Sequence, residues 1–84
     1  MKPIGKVVHY YSKAEVAIVE LQGELKVGDR IRIEKGDQTF EQEVTSMQKE
    51  YQPLEKGKKG DSVGMKVDQK AKEGSLVLLL EKGE

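Results

Sequence analysis

One short phrase recurs three times in this chain and narrows its fold more than any other feature. "KVGDR" spans 26–30, "KKGDS" spans 58–62 and "KEGSL" spans 72–76. Each copy runs Lys, any residue, Gly, then a small polar residue, and an apolar residue follows at Ile31, Val63 and Val77. Gly28, Gly60 and Gly74 take positive φ at no steric cost. Asp29, Asp61 and Ser75 are residue types that hydrogen-bond the local backbone and fix a turn. The lysines are expected to stay in solvent. A chain that turns sharply just before an apolar run, three times over, reads as strands that meet at corners. The copies lie 32 residues apart from Gly28 to Gly60 and 14 from Gly60 to Gly74. Unequal spacing marks repeated turn chemistry and not an array of structural repeats.

The segments between the corners have strand character, and no stretch shows helical periodicity. Ile4 to Tyr11 and "VAIVEL" at 16–21 are β-branched runs separated by the polar "SKAE" at 12–15. "RIRIE" at 30–34 alternates apolar and charged residues, the pattern of a half-buried strand. "KGD" at 35–37 is a tight hairpin signal. "QTFEQEVTSMQ" at 38–48 changes parity between Val44 and Met47, which predicts a bulge or bend there. "EYQPLEKGKKG" at 50–60 holds Pro53 and two glycines and reads as an extended segment followed by a loop. "DSVGMKV" at 61–67 and "SLVLLL" at 75–80 complete the set, the latter as a strand buried on both faces. About six short strands without a crossover helix favour an all-β antiparallel barrel over an open sheet.

Composition excludes several classes. A chain of 84 residues is one small domain, 1–84. Charged residues make up 36% and the formal net charge is zero, which counts against a generic electrostatic nucleic-acid binder. There is no cysteine, so no disulfide framework and no thiolate metal site. The opening "MKPIGKVVHYYSK" holds no apolar run of signal-peptide length, and no segment is long enough to span a bilayer as a helix. A cytoplasmic setting with no membrane partner is the expectation. Abundant Lys and Glu with no Asn suit a heat-adapted source.

Four pieces carry a family resemblance: "GELKVGDRIRI" at 23–33, "VTSMQ" at 44–48, "GKKGDSVG" at 57–64 and "KEGSLV" at 72–77. In order and approximate spacing they resemble the second domain of elongation factor Tu and its relatives, from about Ile4 to Leu80. The resemblance implies a six-stranded antiparallel Greek-key barrel. It further implies a non-enzymatic, translation elongation factor-like protein that binds RNA, with tRNA, rRNA or a ribosomal surface as partner. A similar barrel ends some collagenase-like peptidases. The alternative is therefore a protein-interaction module whose partner is a protein, acting in trans with such a peptidase. The family's aminoacyl-end pocket maps onto Ser46, Ser62 and about Lys66, and all three differ from the family's residues.

No nucleotide or other cofactor is expected. A phosphate-binding loop needs G-x-x-x-x-G-K-[ST], and Gly57, Gly60 and Gly64 are not followed by Gly-Lys-Ser/Thr at that spacing. His9 is the single histidine, and no motif supplies it with a nucleophile or acid partner. Glu41 and Glu43 share one strand face with no histidine near them, the pattern of a solvated face and not of a metal site. Between Lys49 and Lys72 there are seven lysines against four acids. If RNA binds, the expected edge is Lys56, Lys58 and Lys59, with Lys66 and the aromatic Tyr51 nearby. The competing reading of these lysines is a solvated loop with charged edge positions. Tyr10 and Tyr11 suit either base stacking or capping of the core.

Overall fold

A computed structural model describes residues 2–80 of the chain. Ten strands follow in order: β1 (Lys2–Tyr11), β2 (Val16–Leu21), β3 (Leu25–Lys26), β4 (Arg30–Lys35), β5 (Gln38–Glu43), β6 (Met47–Lys49), β7 (Gln52–Pro53), β8 (Lys56–Gly57), β9 (Ser62–Lys66) and β10 (Leu76–Leu80). Among the described residues there is no helix. Eight strands form one antiparallel sheet in the order β5-β4-β10-β1-β2-β9-β6-β7, and β3 pairs with β8 apart from it. The sheet is not closed: β5 and β7 end it without pairing with each other. The expected six-stranded closed barrel is thus corrected to an open antiparallel sheet. Segment 22–29, expected as a loop, contributes β3, and segment 50–60, expected as an extended stretch and then a loop, contributes β7 and β8.

Each of the three repeated phrases makes the same turn. Gly28, Gly60 and Gly74 have φ of +101°, +94° and +89°. The amide of the next residue reaches back three residues in every copy: Asp29 N to Lys26 O at 3.1 Å, Asp61 N to Lys58 O at 3.0 Å, and Ser75 N to Lys72 O at 3.1 Å. The Asp29 carboxylate accepts from the Lys26 N–H and the Asp61 carboxylate from the Lys58 N–H, both at 3.1 Å. Ser75 differs. Its hydroxyl donates to the Lys72 carbonyl at 2.6 Å, because a hydroxyl carries a proton that a carboxylate lacks.

Alternation decides which face each strand buries. Ala17, Val19 and Leu21 of β2, Ile31 and Ile33 of β4, and Val63 and Met65 of β9 point into one hydrophobic cluster with Ile4, Val7, Val44 and Val77. Arg32 of β4 points outward and meets Glu41 opposite it on β5, with Nη2 2.7 Å from Oε2. The parity change near Val44 is a full interruption and not a bulge: β5 stops at Glu43 and β6 starts at Met47. Val44 itself exchanges backbone bonds with the first turn, through Gly28 N to Val44 O and Val44 N to Asp29 O, both 2.8 Å. β10 is a strand, as its length suggests, and lies between β4 and β1. It is fully buried only at Val77 and Leu78, while Leu76 is exposed.

Candidate functional site

The same alternation that buries Ala17, Val19, Val63 and Met65 turns Val16, Ile18, Ser62 and Gly64 to the outer face of the sheet. Register then aligns them. Ile18 lies opposite Gly64 and Val16 opposite Lys66 where β2 meets β9. Tyr11 of β1 lies opposite Val16, and Gln48 of β6 lies opposite Gly64. With Ala14, Glu50 and Tyr51, all of these except Lys66 line an open groove of 370 Å³. That volume sits near the lower end of the roughly 300–1,000 Å³ of ligand clefts. Gly64 keeps the floor low. A Cβ there would stand 3.2 Å from Gln48 Cγ and 3.3 Å from Val16 Cγ1. The lining has one carboxylate, Glu50, and no lysine or arginine.

Tyr51 is presented by a hairpin that sequence reasoning missed. Lys49 pairs with Gln52, so Glu50 and Tyr51 form a two-residue connection between β6 and β7. Both have positive φ, +53° and +67°. Positive φ at both central positions is the type I′ turn, which ordinarily calls for Asn-Gly or Gly-Gly. Glu-Tyr lacks that signature, and this hid the hairpin. Tyr51 is 94% exposed. A bulky residue in the left-handed region is a backbone outlier, and here its ring lies in solvent.

The lysine edge expected from the sequence is only partly assembled. Lys58 and Lys59 are exposed in the turn before β9. Lys49 reaches Asp61 of that turn, with Nζ 2.8 Å from Oδ1, and so ties the Tyr51 hairpin to it. This hydrogen bond, with a second from the Lys58 backbone N–H, holds the Asp61 carboxyl below its ordinary value of 3.8. The same contact holds the Lys49 ammonium above its ordinary value of 10.5. Lys56 stands on β8 with Nζ 3.4 Å from Glu24 Oε2, so a carboxylate faces part of its charge. Lys66 is not beside them. It ends β9, four residues after Ser62, and at about 3.3 Å per residue it lies roughly 13 Å along the strand.

Two other sequence candidates find local partners. His9 Nδ1 is 2.9 Å from Glu73 Oε2. Its ring also meets Tyr11 edge to face, with centroids 4.4 Å apart. Glu41 takes the Arg32 guanidinium through Nε and Nη2 at 3.0 and 2.7 Å. Among the described residues no group of three or more His, Cys, Asp or Glu side chains converges on a common point. No described helix is long and apolar enough to cross a membrane.

No family model matches the chain. It is 44% identical over 78 residues to an uncharacterized protease of Methanocaldococcus jannaschii, a match that covers 92% of this chain. The chain spans only 19% of that relative's length. Two crystal structures of the C-terminal domain of a Geobacillus thermoleovorans protein designated a U32 peptidase share its fold. The selenomethionine variant superposes with a TM-score of 0.88 at 17% identity, covering 93% of this chain and 99% of that one. The other gives 0.89 at 17% identity, covering 95% of this chain and 93% of that one. These matches overturn the expected membership of the elongation factor Tu-like family and, with it, the reading as an RNA-binding translation factor. The resemblance rested largely on turn phrases, and in this chain those phrases form corners. The chain shares the fold of those C-terminal domains, and the archaeal relative it matches in sequence is described as an uncharacterized protease.

Proposed function

We propose that this chain is a non-catalytic accessory module that acts by protein contact alongside a collagenase-like peptidase. The observation that carries this reading is the 44% identity across 92% of the chain to a segment making up 19% of a protease. A segment so small a part of its relative is read as a module that serves a larger catalytic body. The likeness to peptidase C-terminal domains supports the same reading. So does the zero formal net charge, since contact between proteins needs no cationic face. The reading keeps the cytoplasmic setting expected from the sequence.

A tagged copy of the chain, used to capture partners from source lysate with and without nuclease, tests this. A peptidase is expected among the captured proteins, and its capture is expected to survive both nuclease and high salt. Phosphate-mediated binding would weaken steeply with salt. Capture that disappears with nuclease, or that contains no peptidase, would overturn the reading.

A further inference from the structure

We propose that the groove between Tyr11 and Tyr51 docks an extended, proline-containing polypeptide segment that carries a lysine or arginine. This rests on the reading of the chain as a protein-contact module and names the site and the chemistry of what it holds.

The shape of the groove selects the mode of binding. Its floor, Val16, Ile18 and Gly64, belongs to strands paired on both sides: β2 between β1 and β9, and β9 between β2 and β6. No free ladder of backbone groups is offered there, so an added β-strand has nothing to pair with. An occupant must instead gain from side-chain contact. Tyr11 is 53% exposed and Tyr51 is 94% exposed, and they stand on opposite sides of the apolar floor. Aromatic-walled grooves of this kind take polyproline II segments, which are extended before binding and lose little entropy. Such a segment has no internal hydrogen bonds and shows its carbonyls to its surroundings. The Gln48 amide, which lies over Gly64, and the Ser62 hydroxyl supply donors for those carbonyls.

Charge selects the sequence of the segment. Glu50 is the one charged residue lining the groove. The nearest cation on its hairpin, Lys49, is held by Asp61. A lysine or arginine in the segment would pair with the Glu50 carboxylate, which a polyanion would oppose. The strain in the hairpin belongs to the same arrangement. Glu50 and Tyr51 occupy backbone positions that suit Asn and Gly, and what they contribute there is the carboxylate and the ring.

The test is a titration of the isotope-labelled full chain, followed by amide chemical shifts, with a capped peptide of prolines around one lysine. The backbone amides of Tyr51, Ser62, Gly64 and Ile18 are expected to move together. Tyr51→Ala and Tyr11→Ala are each expected to weaken binding about tenfold, the scale of a central aromatic contact. Glu50→Gln is expected to weaken the lysine peptide severalfold and leave an all-proline peptide unchanged. Val27→Ser, an exposed apolar change outside the groove, is expected to have no effect. A Gly-Ser peptide and a single-stranded oligonucleotide serve as the other arms. Shifts caused equally by either of them, shifts elsewhere on the sheet, or binding indifferent to both tyrosine changes would overturn the proposal. If a peptidase is captured from lysate while the proline peptide leaves these amides unmoved, the groove assignment fails and the module reading stands. If the peptide binds here and no peptidase is captured, the module reading fails and the groove assignment stands.

Discussion

Gln42 donates its side-chain amide to the backbone carbonyl of Lys66 at 2.9 Å. Its carbonyl oxygen accepts the Asp68 backbone N–H at 2.8 Å. One buried polar side chain therefore ties edge strand β5 to the far end of β9, where no backbone ladder closes the sheet. Replacing Gln42 with Leu keeps the volume close and removes both bonds, leaving a carbonyl and an amide unpaired. A buried unpaired group costs about 1–3 kcal/mol, and less where water reaches it, as at the exposed Lys66 and Asp68. A loss of roughly 1–2 kcal/mol is expected in urea unfolding, and faster exchange of the Asp68 amide with solvent. A variant as stable as the parent would show that the seam does not depend on this residue.

Gly60 and Lys58 occupy one turn and make contrasting demands on it. Gly60 has φ of +94°, and no atom lies within 4 Å of the place a Cβ would take. Backbone conformation alone therefore opposes a side chain there. Gly60→Val is expected to cost about 1–3 kcal/mol, since a β-branched residue is strained at positive φ. Lys58→Ala removes only solvent-facing atoms and is expected to stay within about half a kcal/mol. Equal denaturation midpoints for the two variants would contradict this turn geometry.

The Lys49–Asp61 pair makes stability depend on pH at both extremes. Asp61 titrates lower in the folded chain than its ordinary 3.8, so its contribution is whole above that value. The contribution is lost as pH falls below 3.8 and through the folded value. Lys49 titrates higher than its ordinary 10.5, so its contribution is whole below that value and lost as pH rises through the folded one. Asp61→Asn keeps an acceptor for the Lys58 N–H and removes the charge. Thermal midpoints of parent and variant are expected to differ near neutrality and converge in strong acid. A gap that persists unchanged in strong acid would place the effect elsewhere.

The β6–β7 hairpin carries strain that substitution can release. Glu50→Asn together with Tyr51→Gly installs the pair that type I′ turns favour. The double variant is expected to be more stable than the parent by about 1 kcal/mol, the order of relief for non-glycine residues at positive φ. Differential scanning calorimetry measures it. A lower midpoint would show that Glu50 and Tyr51 make stabilising contacts that outweigh their backbone conformation.

Some of this structure is legible in the sequence because its cause is local. The corner at Lys58–Asp61 is made by a glycine, a carboxylate and two backbone bonds within four residues, so the written phrase contains its whole mechanism. The alternation of "RIRIE" likewise states which side of β4 is buried, since one strand's pleat decides it. The β6–β7 hairpin was hidden because its two turn residues are chosen against local preference. Gln42 was hidden because an isolated polar residue on a strand reads as solvent-facing until the carbonyl and amide it must satisfy are in place.

What the sequence determined by itself is an all-β chain with corners at Gly28, Gly60 and Gly74. Only tertiary structure decided how the strands combine. Pairing order depends on contacts between residues far apart in the chain, and the turn phrases that suggested a translation-factor barrel carry no information about it. The open sheet, with β5 and β7 as its edges, follows from that pairing. So does the meeting of Tyr11 with Tyr51, forty residues apart in sequence, across a floor from two other segments. So too does the distance of Lys66 from Lys58 and Lys59, which a count along the chain makes neighbours and a five-residue extended strand keeps apart. A turn is made by the residues that form it, whereas a surface site is made by the register between strands, and register is a property of the folded sheet.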